Sequence, residues 1–289
     1  MGKKQRDLFY NFWSVAIVLC VFIVVFSFIF ASCSESKPLP PPKDSSDQQS
    51  GKPEDEADDP SDSDGGAVEG EEESAAPVVQ QNVTELQETE DMGIEYQDKL
   101  TFLGDSTTLG MQTFGVLSDG TDTKQVWLPR NGTFALFNQD GIRVVYPETG
   151  EEILLEDAVA LGQPEYMVIT LGVNGVNSMD EDFFIREYTA LINRILQNSP
   201  NTKIILNSIY PVARSYDSLD QINNEKIDAA NIWVRKVAEQ TNSRFINSAS
   251  VLKDSEGWLP EDYQSGDGIH LTRATMEKIL QYIRTHGYV

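Results

Sequence analysis

The 289-residue chain has only two histidines, and one of them, His270, stands three positions after Asp267 in the stretch SGDGIHLT. A neutral imidazole is the side chain best suited to take a proton near pH 7. A carboxylate bonded to its other ring nitrogen fixes the tautomer and stabilises the charged ring, and a turn containing glycines lets the two groups meet locally. What such a pair needs is a nucleophile. LTFLGDSTTLG offers Ser106 where an apolar run gives way to a helix, beside helix-start N–H groups that attract developing negative charge. Asp105 or Ser106 at that place equally suits a helix N-cap. Asn174, in LGVNG, could donate a side-chain N–H into the same crevice or simply share a turn with Gly172 and Gly175. Gly132, in PRNGTFAL, would let a backbone N–H approach a ligand closely. Trp258 and Tyr263 precede the Asp–His turn, where they could stack on a sugar ring or pack into the core.

These residues need elements to position them. Leu100–Gly104, Tyr166–Leu171, Lys203–Ile209 and Arg244–Asn247 read as buried strands, and Ser106–Leu117, Glu181–Gln197, Ile222–Thr241 and Thr272–His286 as helices. In Ile222–Thr241 the apolar residues Ile227, Ala230, Val234 and Val237 recur at the spacing of one helix face. Alternating strands and helices imply right-handed crossovers and a parallel sheet covered on both faces. Sites in such sheets gather at the carboxyl ends of the strands, where Ser106, Asn174 and the Asp–His turn are all expected.

Ahead of this lie two other materials. Lys3, Lys4 and Arg6 precede Trp13–Phe30, an uncharged apolar run of 18 residues, long enough for a membrane-spanning helix. The basic flank should stay cytoplasmic, which places the rest outside the cell membrane as a single-pass protein. FASC, Phe30–Cys33, offers the alternative of a lipoprotein anchored at Cys33. From Glu35 to Glu73 there are 14 acidic residues against 3 lysines, a net charge of −11 within a chain total of −24. Such a segment cannot bury enough apolar surface to order itself and reads as an extended spacer. The expected division is therefore 1–33 cytoplasmic N-terminus and anchor, 34–94 disordered linker, and 95–289 a catalytic domain. An acidic balance disfavours a nucleic-acid partner. The only cysteines are Cys20 and Cys33, so the domain has no disulfide, thiol nucleophile or Cys-ligated zinc.

GDST (Gly104–Thr107), the glycine near 132, GVN (Gly172–Asn174) and DGIH (Asp267–His270) together resemble the four blocks of the SGNH, or GDSL-type, hydrolase family. The resemblance covers most of residues 98–289. It implies a three-layer α/β/α sandwich on a parallel, flavodoxin-like sheet. It also implies Ser106 as nucleophile, His270 as base, Asp267 as orienting partner, and an oxyanion hole from the Ser106 N–H, the Gly132 N–H and the Asn174 side chain. The chain has Gly175 where that family usually has Asp. No cofactor or metal is needed. The implied activity is hydrolysis of O-acetyl or other small acyl esters on cell-envelope carbohydrates. The alternatives are an O-acetyltransferase with the same triad and a non-catalytic glycan-binding domain.

Overall fold

The computed structural model describes residues 84–289. The order along the chain is α1 (Gly93–Gln97), β1 (Leu100–Gly104), α2 (Ser106–Thr113), β2 (Val126–Trp127), β3 (Arg143–Tyr146), β4 (Glu151–Leu154), α3 (Leu155–Gly162), β5 (Tyr166–Thr170), α4 (Glu181–Asn198), β6 (Lys203–Asn207), α5 (Asn224–Gln240), β7 (Arg244–Ile246) and α6 (Arg273–Arg284). Five strands form one sheet in the order β2-β1-β5-β6-β7, while β3 and β4 pair as a separate antiparallel hairpin. All four pairings in the large sheet are parallel.

Side chains alternate across a strand, so each run supplies both faces of the sheet. Leu103, Met167, Ile169, Ile204, Leu206 and Phe245 point to one face, where α3, α4 and α5 cover them. Leu100, Phe102, Val168, Ile205 and Ile246 point to the other, against α2 and α6. Parallel strands covered on both faces must be apolar throughout, as in YMVIT of β5, where every residue is buried. The result is the three-layer α/β/α sandwich expected from the sequence. In α5 the residues on the core side are Ile227, Ala230, Val234 and Val237, the stripe read from the sequence, and Asn223 caps its start by accepting from the Lys226 N–H at 3.0 Å.

Three differences have local causes. Helix α2 stops at Thr113, four residues before the expected end, as the chain turns through Gly115 at a φ of 58°. The short strand β2, the β3–β4 hairpin and α3 were not expected, because two-residue strands and mixed-polarity runs carry little periodicity. Residues 84–94, expected within the linker, belong to the folded domain. The Leu86 N–H donates to Phe245 O at 2.8 Å, the Phe245 N–H donates to Thr84 O at 2.9 Å, and Leu86 is buried. Strand β7 is the edge of the sheet, and its open row of backbone groups takes up this segment. The expected membrane anchor and the rest of the acidic spacer lie outside the described residues. Among the described residues no helix is long and apolar enough to cross a membrane.

Candidate active site

Strand order changes direction at β1: the chain passes from β1 to β2 on one side, and later to β5 on the other. A crevice opens outside the carboxyl ends of two strands at such a point. Gly104 lies opposite Thr170 in the β1–β5 register, so the turns that follow carry Asp105–Ser106 and Asn174 side by side. Ser106 is the first residue of α2 and half-buried. Its N–H has no acceptor within the helix and is free to point at a ligand.

Asp105 does cap α2, and it does more. Its Oδ1 accepts from the Thr107 N–H at 3.0 Å and the Thr107 hydroxyl at 2.8 Å, while Oδ2 accepts from the Asn174 Nδ2 at 2.9 Å. The carboxyl is fully buried, and desolvation pushes it up to about 6 against the hydrogen bonds from Thr107 and Asn174 and the His270 charge. The link to Asn174 spans 69 positions and had no signal in the sequence. The second Asn174 N–H reaches Phe134 O at 3.4 Å, a weak bond.

On the opposite wall, Asp267 Oδ2 lies 2.6 Å from His270 Nδ1, and Asp267 Oδ1 accepts from the His270 N–H at 2.9 Å and the Ile269 N–H at 3.1 Å. Burial would raise the Asp267 carboxyl, but the ring and the two backbone donors outweigh it and hold it below its ordinary value. The carboxylate therefore remains charged beside the ring, with the proton of Nδ1 directed to it. Ile269 helps to line a small cavity with Asp105, Thr107, Thr170 and Ile209, which brings the Asp–His turn against the serine turn. His270 Nε2 makes no hydrogen bond to Ser106 among the described residues. Catalytic hydrogen bonds commonly tighten only when substrate is bound.

Gly132 lies against the serine: a Cβ built on it would stand 3.9 Å from Ser106 Cβ. Its φ of 73° suits glycine. Its N–H, however, donates to Pro129 O at 2.8 Å and closes a turn, so the backbone donor expected at Gly132 is already spent. Gly175 is packed, and a Cβ there would come within 2.9 Å of Met179 Sδ, so a larger residue would require that side chain to shift. Trp258 and Tyr263 are half-buried, and each ring has one cation over it. The Arg214 guanidinium lies 5.3 Å from the Trp258 ring, and Lys278 both covers the Tyr263 ring at 5.0 Å and donates to its hydroxyl at 2.9 Å. Among the described residues no cluster of three or more His, Cys, Asp or Glu side chains gathers that could hold a metal ion.

A serine at a helix start beside a switch-point crevice, with a carboxylate-bound imidazole on a turn that lines the same small cavity as Asp105 and Thr107, suits a hydrolase of the three-layer α/β/α class. The sequence profile of the GDSL-like Lipase/Acylhydrolase family matches residues 102–278. The chain belongs to this SGNH/GDSL family and is an ester-hydrolysing enzyme. Similar solved structures include a candidate acylhydrolase from Bacteroides fragilis (18% identity over 70% of this chain and 90% of that one, TM-score 0.47). A GDSL-like lipase from Bacteroides thetaiotaomicron is 18% identical over 65% of this chain and 87% of that one, with a TM-score of 0.41. A carbohydrate esterase family 3 protein from Talaromyces cellulolyticus is 17% identical over 63% of this chain and 92% of that one, with a TM-score of 0.42. Comparison with curated proteins gives no match.

Proposed function

We propose that this enzyme is a serine esterase displayed outside the cell membrane, held there by its N-terminal helix or a lipidated Cys33. In this reading it removes O-acetyl or other small acyl groups from cell-envelope carbohydrates. Ser106 is the nucleophile, His270 the base and Asp267 its orienting partner. The observation that supports this most is the 2.6 Å contact between His270 Nδ1 and Asp267 Oδ2, on a turn packed against the serine's own. With Nδ1 directed to the carboxylate, Nε2 is the nitrogen left to take a proton.

His270 accepts the hydroxyl proton as Ser106 Oγ bonds to the ester carbonyl carbon, giving a tetrahedral oxyanion. The imidazolium then returns that proton to the departing sugar oxygen, and the acyl group stays on Ser106. Water repeats the sequence and releases the acid. The oxyanion is met by the Ser106 N–H and by the Asn174 N–H that now holds Phe134 O at 3.4 Å. A charged acceptor outcompetes so weak a partner. Gly132 contributes room beside Ser106 rather than a donor. The carbohydrate preference rests on the expected tether and spacer, which would hold the domain among envelope glycans.

The full chain in detergent should hydrolyse p-nitrophenyl acetate and release acetate from acetylated peptidoglycan, xylan or chitin fragments. Ser106→Ala and His270→Ala should each lower kcat by roughly a thousand-fold or more. Full turnover in folded Ser106→Ala would sink the triad, whereas turnover of the model ester without acetate release from any glycan would sink only the carbohydrate preference.

A further inference from the structure

We infer that Gln264 is a positioning residue for the Asp267–His270 pair, holding their turn in place through a hydrogen-bond relay to Glu261 and Ser215. The inference rests on the triad proposed above.

The turn that carries the pair is intrinsically loose. Gly266 has a φ of 119° and Gly268 of 82°, and glycines in such conformations have the most freedom to lose on ordering. At its neck, Gln264 and Leu271 form a bridge and the Ser265 N–H donates to His270 O at 2.7 Å. Inside the turn Asp267 Oδ1 holds the Ile269 and His270 N–H groups, and Gln264 holds the two glycines. Gln264 Oε1 accepts from the Gly266 and Gly268 N–H groups, the latter at 3.0 Å. Its Nε2 donates to Glu261 Oε2 at 2.9 Å. That same oxygen accepts from the Ser215 hydroxyl at 2.6 Å, and Glu261 Oε1 accepts from the Ser215 N–H at 3.2 Å.

The relay therefore runs from the backbone next to Asp267 to the segment following β6. That segment grips the same residue through the next peptide, since the Ala213 N–H donates to Gly268 O at 2.8 Å. It also leaves no slack: a Cβ on Gly268 would stand 2.6 Å from the backbone N and Cα of Tyr216. Gly268 lies directly between Asp267 and Ile269, whose N–H bonds Asp267 Oδ1. Losing its hold would let the carboxylate, and with it the imidazole, drift from the serine. The relay also explains why an amide suits position 264. It must accept from the turn and donate to Glu261, and a carboxylate there would set two like charges together.

The test compares Gln264→Ala, Gln264→Glu and the exchange Gln264→Glu with Glu261→Gln in the full chain, using p-nitrophenyl acetate. Both single variants should lower kcat by about 10- to 100-fold while KM changes little, because misplacement by about 1 Å costs that much at the reacting centre. The exchange restores an acceptor to the turn and a donor between the two side chains, so kcat should return to within about 3-fold of the parent. A residue that merely stabilised the fold would lower the melting temperature without this pattern of loss and rescue. Unchanged kcat in both single variants overturns the inference, as does an exchange as slow as Gln264→Glu. His270→Ala in the same assay separates the two levels: if it keeps full activity, the triad itself falls and the positioning role with it.

Discussion

Asp105 costs stability at neutral pH, and the site uses it. An unfolded Asp ionises near pH 4, whereas this carboxyl holds its proton up to about 6. Between those values the folded chain binds a proton that the unfolded chain has released, so this group's contribution to stability falls as pH rises through the window and is level above it. Asp267 runs the other way. Its lowered value gives stability that is present above the unfolded value and lost as acid protonates the folded group. In a difference between Asp105→Asn and the parent, Asp267 cancels. The melting-temperature difference, variant minus parent, should climb from about pH 4 to about pH 6 and then flatten. Asp105→Asn should also lose activity, since Asn174 would exchange a charged acceptor for a neutral one. A flat difference across that range would mean that Asp105 is not buried as a titrating acid. GDST and DGIH could be read from the sequence because each packs its chemistry into four adjacent residues. The Asp105–Asn174 bond could not, since nothing local to either residue refers to the other.

At the scale of elements, the segment around Leu86 tests how an edge is closed. Leu86 is buried and its N–H pairs with β7, two strands from β5 and three from β1, at the far edge of the sheet. Leu86→Ala should therefore lower unfolding free energy by about 2 kcal/mol in urea titration and leave kcat unchanged. An unaltered midpoint would place this segment outside the cooperative domain. The strands β1 and β5 and the helices α4, α5 and α6 were legible, because apolar runs and the three-to-four stripe are imposed by their own burial. The stretch 84–94 read as linker, because its polar residues say nothing of an edge strand waiting more than 150 positions later.

For the whole domain, one sheet separates two cores yet belongs to both. Adjacent residues of the same strand, such as Leu103 and Phe102, enter opposite clusters, so neither core can melt without pulling apart strands that the other needs. Two of the three tryptophans in residues 84–289, Trp127 and Trp233, lie in or against one cluster, so tryptophan fluorescence is weighted to that side, while far-UV circular dichroism reports helices on both. Thermal unfolding of a chain beginning at Thr84 should give coincident transitions by the two probes. A clear separation of the two midpoints would show that the faces unfold independently.

By itself the sequence determined what depends on neighbours: which runs are strands or helices, that the domain has no cysteine, and that a serine turn and an Asp–His turn exist. Tertiary structure alone decided which groups are free to act. It spent the Gly132 N–H on Pro129, set Asn174 on a buried Asp105, and tied the Asp–His turn through Gln264 and Glu261 to Ser215. The physical reason is the range of the interactions. Periodicity and turn chemistry act over a few residues, whereas a hydrogen bond between elements exists only once the strand order has brought them together.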